Sequence, residues 1–278
     1  MYYSNNTILF HDGKFVKAKD ASTDLYSQTL HYGYGAFEGI RAYQTINGVK
    51  IFKAHEHFER LQRSCELVGI PFTYSTEELT QLSYQVLEKN NLKDAYIRPL
   101  VYCAPNMTLS APTGVSVMIA AWEWGKYHGA KPLKVCVSSF QRPNPKSVKM
   151  EAKVCGHYVN SIMATNEAKQ RGFDEALMLD MNGFVAEGPG NILPGITRQT
   201  VFEICREMDL PVVEKHFRPE ELFEADSAFF CGTAAEVVAI ESIEGQAFSK
   251  PWKHSMGAVV QEAYTCIVLD KSYSYVIV

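Results

Sequence analysis

The chain has 278 residues, a formal net charge of -4 and a sequence pI of about 6.1, with 46% hydrophobic and 21% charged residues. This length can bury a large core and makes two domains the expectation, with the composition of a soluble globular protein. Mild acidity offers no basic field to nucleic acid or an anionic membrane, and no apolar run approaches the ~20 residues that span a bilayer.

The opening residues Met1-Tyr2-Tyr3-Ser4-Asn5-Asn6 have neither the basic nor the apolar region of a signal peptide. Seven cysteines, an odd number, are scattered from Cys65 to Cys266 without a Cys-x-x-Cys pair. They read as small core residues in a reducing, cytoplasmic setting. His55 and His57 stand at i, i+2, which a helix points to different sides, so no metal site is expected.

Residues 8–52 read as short strands and turns, with Asp12-Gly13 as a hairpin signal between Ile8-Leu9-Phe10 and Phe15-Val16. From Tyr32 to Tyr43 glycines and aromatics alternate closely. That stretch is either a turn under an aromatic cluster or the wall of a ligand pocket. His55 to Val68 is expected to be a helix with Phe58, Leu61, Cys65 and Val68 as its apolar stripe and Gly69 as its stop. Arg60 lies off that stripe and is either solvated or able to reach a phosphate. Ser75 to Asn90 is a second helix, with Ser75 and Glu78 as a capping box and Leu79, Leu82, Val86 and Leu87 facing inward. The strand Ala95 to Tyr102 places Tyr96 and Arg98 on one face. An arginine there pairs with a carboxylate or reads an anionic ligand. Val115 to Trp122 is a buried strand. The pattern then breaks, which places a domain boundary between residues 127 and 128.

The second part, 128–278, opens with a strand from Leu133 to Ser139. Lys153 follows among small and apolar residues, just before a helix expected over Ser161–Arg171. A strand from Glu175 to Asp180, a turn at Met181-Asn182-Gly183 and a return strand from Phe184 to Glu187 come next. Lys153 and Glu187 each have a plain reading, as a solvated charge and as a turn residue facing water. They also have a chemical one: an amine that can form a Schiff base, and a carboxylate that can pair a protonated pyridine nitrogen. Pro194-Gly195-Ile196-Thr197 starts a helix to about Met208, and Thr233 with Glu236 reads as another capped helix start. Each is either only a capped helix or an anion site. Val237 to Ile243 is a strand, and Val259 to Ile267 a closing helix.

Several stretches, taken in order, carry a resemblance: Tyr32-Gly33 with Phe37-Glu38-Gly39-Ile40-Arg41, Tyr96-Ile97-Arg98-Pro99, Lys153 followed by Gly156 and Tyr158, Glu187-Gly188, Pro194 to Arg198, and Cys231 to Glu236. Together they resemble the branched-chain amino-acid aminotransferases, class IV enzymes of fold type IV that use pyridoxal 5'-phosphate (PLP). The likeness runs from Tyr26 to about Tyr264. It implies an α/β (α+β) fold of two domains with the cofactor between them. The N-terminal α/β domain would be smaller, and the C-terminal, PLP-anchoring domain larger with a barrel-like sheet.

The resemblance also implies roles. Lys153 looks like the Schiff-base lysine and the catalytic residue, and Glu187 like the partner of the pyridine nitrogen. Arg60, the Ile196 and Thr197 amides and Thr233 match the phosphate cup, and Tyr158 the tyrosine beside the ring hydroxyl. Tyr96, with the Thr233 and Ala234 backbone, matches the α-carboxylate site. Arg98 matches the receiver of glutamate's second carboxylate. Phe37, Tyr32, Trp124 and Tyr127 match an apolar pocket that the family shares with a partner subunit, so a homodimer is implied. The implied activity is amino transfer between Leu, Ile or Val and 2-oxoglutarate, by a ping-pong route through a Schiff base on Lys153. D-amino-acid aminotransferase, aminodeoxychorismate lyase and a PLP-binding protein without turnover are the alternatives. The sequence departs from the family in one place. Between Gly190 and Pro194 stand only Asn191, Ile192 and Leu193, where the family usually continues through a further strand and hairpin.

Overall fold

A computed structural model describes residues 2–125, 131–186 and 193–272. The chain divides into two compact units, Met1–Gly125 with Ala152–Tyr158, and Lys126–Glu151 with Val159–Val278.

The first unit is built on an antiparallel sheet. Its strands are β1 (Ile8–His11), β2 (Lys14–Lys17), β3 (Gly35–Phe37), β4 (Ile40–Thr45), β5 (Gly48–Ile51), β6 (Ala95–Cys103) and β7 (Val115–Glu123), in the order β2-β1-β7-β6-β4-β5 with β3 also on β6. Asp12 and Gly13, both at positive φ, make the β1–β2 turn that the Asp-Gly signal predicts. The helices are α1 (Gln28–Tyr32), α2 (Ala54–Leu67) and α3 (Thr76–Lys89). On α2, Phe58, Leu61 and Cys65 are fully buried and Val68 packs at the margin. The Ser75–Glu78 capping box of α3 is present, and Leu79, Val86 and Leu87 join the same core.

The segment bearing Lys153 belongs to this first unit, whereas a linear division at residue 127 assigns it to the second. The backbone explains why. Val154 bridges Ala36 in antiparallel fashion, the Phe37 N–H donates to the Lys153 carbonyl at 3.0 Å, and the Gly156 N–H donates to the Gly33 carbonyl at 3.0 Å. Gly33 caps α1 at φ +65, and a Cβ there would lie 2.6 Å from the Gly156 Cα, so two glycines permit the approach.

The second unit carries β8 (Leu133–Gln141), α4 (Tyr158–Gln170, entering at Val159), β9 (Glu175–Leu179), α5 (Ile196–Glu207), β10 (Phe229–Gly232), β11 (Glu236–Ile243), β12 (Gln246–Ala247) and α6 (Met256–Val268). Its sheet runs β10-β11-β8-β9 with β12 beside β11. β8 pairs in parallel with both β9 and β11, and α4 lies in the crossover that parallel pairing requires. Leu133, Val135, Leu177, Val238, Ile240 and Ile243 form its core.

Two local expectations are corrected. The helix expected from Ser161 starts at Tyr158, straight out of a 3-10 turn over Cys155–His157. Past the Met181 turn the return pairs with β9 as far as Ala186: the Asp180 N–H donates to the Phe184 carbonyl at 2.8 Å, Leu179 bridges Val185, and the Ala186 N–H donates to the Met178 carbonyl at 3.1 Å, while Glu187 lies outside the described residues. Thr233 does not start a helix. Residues 233–235 turn directly from β10 into β11 in the register Gly232 to Glu236. The β-branched run Val237-Val238 and the left-handed Glu236 (φ 59) favour a three-residue hairpin loop over a helical turn. No helix among the described residues is long and apolar enough to cross a membrane.

Candidate active site

In the first unit, Glu38 follows β3 and is completely buried. Arg60, one turn into α2, donates Nε–H to Glu38 Oε1 at 2.7 Å and Nη2–H to Oε2 at 2.9 Å. His57, also buried, meets Oε2 through Nδ1 at 2.8 Å, and the Gly39 N–H donates to the same oxygen at 3.1 Å. Burial alone would push the Glu38 carboxyl up, but the Arg60 charge and the hydrogen bonds from His57 and Arg60 outweigh it and hold it at about 2. Burial pushes His57 down against the pull of Glu38. Glu38 is therefore an ionised acceptor, and His57 is its donor through Nδ1–H.

Farther along α2, the buried Ser64 hydroxyl donates to the Arg60 carbonyl at 2.7 Å and accepts the Lys153 N–H at 2.9 Å. The lysine backbone is thus clamped between α2 and β3. Lys153 Nζ donates to Tyr158 Oη at 2.5 Å and lies 4.9 Å from the centroid of the Phe37 ring. No carboxylate pairs with it among the described residues. An amine held this way, on a hydroxyl and against ring faces, suits attack on a carbonyl carbon.

Beside it, the Arg98 guanidinium lies 4.6 Å from the Phe37 ring centroid, 5.4 Å from Tyr96 and 6.0 Å from Trp122. Tyr96 packs on Trp122 and Trp124 at 5.3 and 5.0 Å. A Cβ on Gly39 would overlap the Tyr96 hydroxyl, so glycine is what lets Tyr96 take this position. A cation faced by rings can receive either an apolar chain or a carboxylate. Tyr32 stands apart on α1, half exposed, its hydroxyl donating to the Met107 carbonyl at 3.1 Å.

In the second unit, α5 starts at Ile196 with Gly195 as its N-cap and no side-chain cap there. Ile196 and Thr197 are buried, so their N–H groups belong to the end of a helix that favours anions. Thr233 and Ala234 occupy the β10–β11 turn. Glu187 and Tyr127 lie outside the described residues. No group of three His, Cys, Asp or Glu side chains among the described residues could hold a metal ion.

The class IV amino-transferase sequence family matches this chain over residues 35–191 and again over 189–243. This chain belongs to the class IV aminotransferases. It is similar to the branched-chain-amino-acid aminotransferase of Pseudomonas aeruginosa, 38% identical over 291 positions, covering 96% of this chain and 95% of the relative. Among solved structures, a branched-chain aminotransferase from Thermoproteus uzoniensis with norvaline superposes with a TM-score of 0.91 at 37% identity, covering 95% of each chain. The branched-chain amino acid aminotransferase of Escherichia coli superposes at 0.91 with 31% identity, covering 96% of each chain. A third such enzyme, from T.th., is complexed with N-(5'-phosphopyridoxyl)-L-glutamate and superposes at 0.88 with 32% identity, covering 96% and 95%. These likenesses establish the fold-type IV architecture. The two matched family segments overlap at residues 189–191. The alignment of 291 positions exceeds the 278 residues of this aminotransferase, so the relative carries residues that this chain lacks.

Four residues of this aminotransferase join the site without a role in the sequence motifs. Glu38 stands inside one of those motifs, and His57, Ser64 and Trp122 stand outside the assigned roles. A carboxylate in the run Ala36-Phe37-Glu38-Gly39-Ile40 is the available signal, since an acid among buried strand residues needs a paired cation.

Proposed function

We propose that this protein transfers the amino group between branched-chain L-amino acids and 2-oxoglutarate, with pyridoxal 5'-phosphate as cofactor. The observation that carries the reading is the Lys153 amine on Tyr158 Oη, with Arg98 against the same Phe37 ring. The residues present fit the cofactor: a lysine amine free of carboxylates among the described residues, a tyrosine hydroxyl beside it, and an arginine pre-aimed by a buried carboxylate. When bound, PLP supplies an aldehyde carbon for amines and a ring that draws electrons from the substrate's Cα.

The chain's own groups divide the remaining work. Lys153 would hold the cofactor and, once its Nζ is free, would take the Cα proton and deliver it to the carbon that had been the cofactor's aldehyde. Tyr158 Oη keeps Nζ in place. Arg60, the Ile196 and Thr197 amides and Thr233 hold the phosphate, and Glu187 pairs the pyridine nitrogen. Tyr96, with the Thr233 and Ala234 backbone, receives the substrate α-carboxylate. Phe37, Tyr32, Trp124 and Tyr127 wall the aliphatic side chain. Arg98 takes the second carboxylate of glutamate by charge-assisted hydrogen bonds.

We also infer a homodimer. Residues 25–32 and 105–111 are tied together through Tyr32 to Met107, Asn106 to Tyr26, and the Gln28 amide to the Thr108 and Ser110 carbonyls. They leave Leu25, Tyr26, Leu30, Met107 and Leu109 exposed together, Leu109 at 90%. An apolar patch of this kind suits a second copy. Sedimentation of a single 31 kDa species at micromolar concentration would refute the dimer. Free cysteines throughout fit a reducing cytoplasm, which fractionation of the source cells tests.

The deciding experiment is the visible spectrum of the purified protein with PLP. A yellow band that fades with L-leucine and returns with 2-oxoglutarate is expected. A band indifferent to L-leucine but bleached by D-alanine would move the activity to the D-amino-acid reading.

A further inference from the structure

We propose that Glu38 is a positioning residue for the phosphate anchor: by taking the Nε and one Nη2 hydrogen of Arg60, it fixes which edge of the guanidinium a phosphate meets. This rests on the reading of Arg60 as a phosphate ligand.

Guanidinium is a planar fork of five N–H donors. Glu38 occupies the Nε/Nη2 edge through two bonds of 2.7 and 2.9 Å, which directs the Nη1 side and the outer Nη2 hydrogen along a set line. The carboxylate is itself locked. Its Oε1 takes Arg60 Nε, and its Oε2 takes Arg60 Nη2, the His57 Nδ1–H at 2.8 Å and the Gly39 N–H at 3.1 Å. Four donors on one buried carboxylate approach the number its lone pairs accept, so neither Glu38 nor Arg60 can turn without losing several bonds. Stability alone does not call for this design, since a buried ion pair is often replaced by apolar residues at no loss. Placement is what the pair gives that apolar packing would not.

α2 extends the same logic. Ser64, one turn after Arg60, binds the Arg60 carbonyl and accepts the Lys153 N–H. One helix therefore sets the positions of both the phosphate anchor and the lysine backbone. A competing effect runs the other way, because the Glu38 charge repels a phosphate dianion. The two effects predict opposite results on removing the charge, so binding can separate them.

The test titrates the full-length chain with PLP and, separately, with pyridoxal, which lacks the phosphate, and follows the visible absorbance. The readout is the ratio of the two affinities. Glu38→Gln and the charge-preserving Glu38→Asp are expected to lower that ratio roughly tenfold to a hundredfold, the cost usual for losing an outer-shell partner of a ligand group. Pyridoxal affinity should stay at the wild-type value. His57→Asn keeps an N–H donor for Glu38 and should hold the ratio within about threefold, as one neutral hydrogen bond allows. A wild-type ratio in a folded Glu38 variant overturns the proposal, and so does a higher ratio in Glu38→Gln. If the glutamine variant does not fold, Glu38→Asp carries the test alone. Arg60→Ala separates the two levels. An unchanged ratio there defeats the phosphate role of Arg60 itself, whereas a fall in Arg60→Ala without one in the Glu38 variants defeats only the proposal.

Discussion

The two units hold their candidate groups by different means. In the first, the chemistry sits on long side chains, and each is fixed by another side chain: Arg60 by Glu38, Lys153 by Tyr158, Arg98 by three aromatic rings. In the second, it sits on backbone N–H groups at the start of α5 and on the β10–β11 turn, and secondary structure itself does the fixing. A side-chain site fails when one partner is removed. A backbone site tolerates changed side chains as long as the turn persists.

That contrast can be broken by substitution. The largest effect is expected at Lys153. Lys153→Ala removes an amine for which no backbone group can substitute, and turnover should fall by about 10⁴-fold or more. Measurable steady-state activity near wild type would end the assignment.

Next comes Glu38→Ala, which leaves Arg60 and its charge buried without the carboxylate. It should cost about 3–5 kcal/mol in urea unfolding. The pH dependence has a definite sign. The Glu38 carboxyl is depressed to about 2 from its ordinary 4.5, so its contribution is complete above pH 4.5 and is lost as pH falls toward 2. His57 is also depressed, from 6.5, and acts in the same direction below that value. The urea midpoint of the wild type should therefore drop from pH 7 to pH 3 more steeply than that of Glu38→Ala. Parallel curves would refute the pairing.

A third effect is selective. Arg98→Met keeps an apolar wall and removes the cation, so KM for 2-oxoglutarate should rise about 10- to 100-fold while KM for L-leucine holds, the loss of a charge-assisted hydrogen bond being worth roughly 1.5–3 kcal/mol. Equal changes for both substrates would count against it. The smallest effect is expected in the second unit. Thr233→Ala removes one hydroxyl and leaves the turn amides, so PLP affinity should fall by no more than about tenfold. A loss matching that of Arg60→Ala would show that the second unit also works through a side chain.

Much of the scaffold is legible in the sequence. The period of apolar residues locates α2 and α3, Ser75 with Glu78 marks a true cap, and the apolar run of β7 gives a strand, though one buried on a single face through Val117, Ile119 and Ala121. Lys153, Tyr96 and Arg98 stand out because charge and hydroxyl interrupt apolar surroundings. Thr233 misleads because Thr-x-x-Glu is a local rule, and the pairing of β10 with β11 overrides it. Glu38 is opaque for the opposite reason. Its partners lie 19 and 22 positions away on a helix, and Ser64 lies 89 positions from Lys153. No short-range pattern encodes contacts at that separation.

The excursion of residues 152–158 into the first unit bears on how the molecule is made. β3 receives its hydrogen bond from Phe37 to Lys153 only after the ribosome has passed residue 158. At 5–20 residues per second, the nascent chain therefore waits roughly two to seven seconds after residue 125 with the Phe37 amide of β3 unmatched. Synthesis order thus makes the lysine segment the last piece of the first unit to arrive, and a nascent chain stalled before residue 152 lacks both the amine and the backbone that completes its own sheet edge.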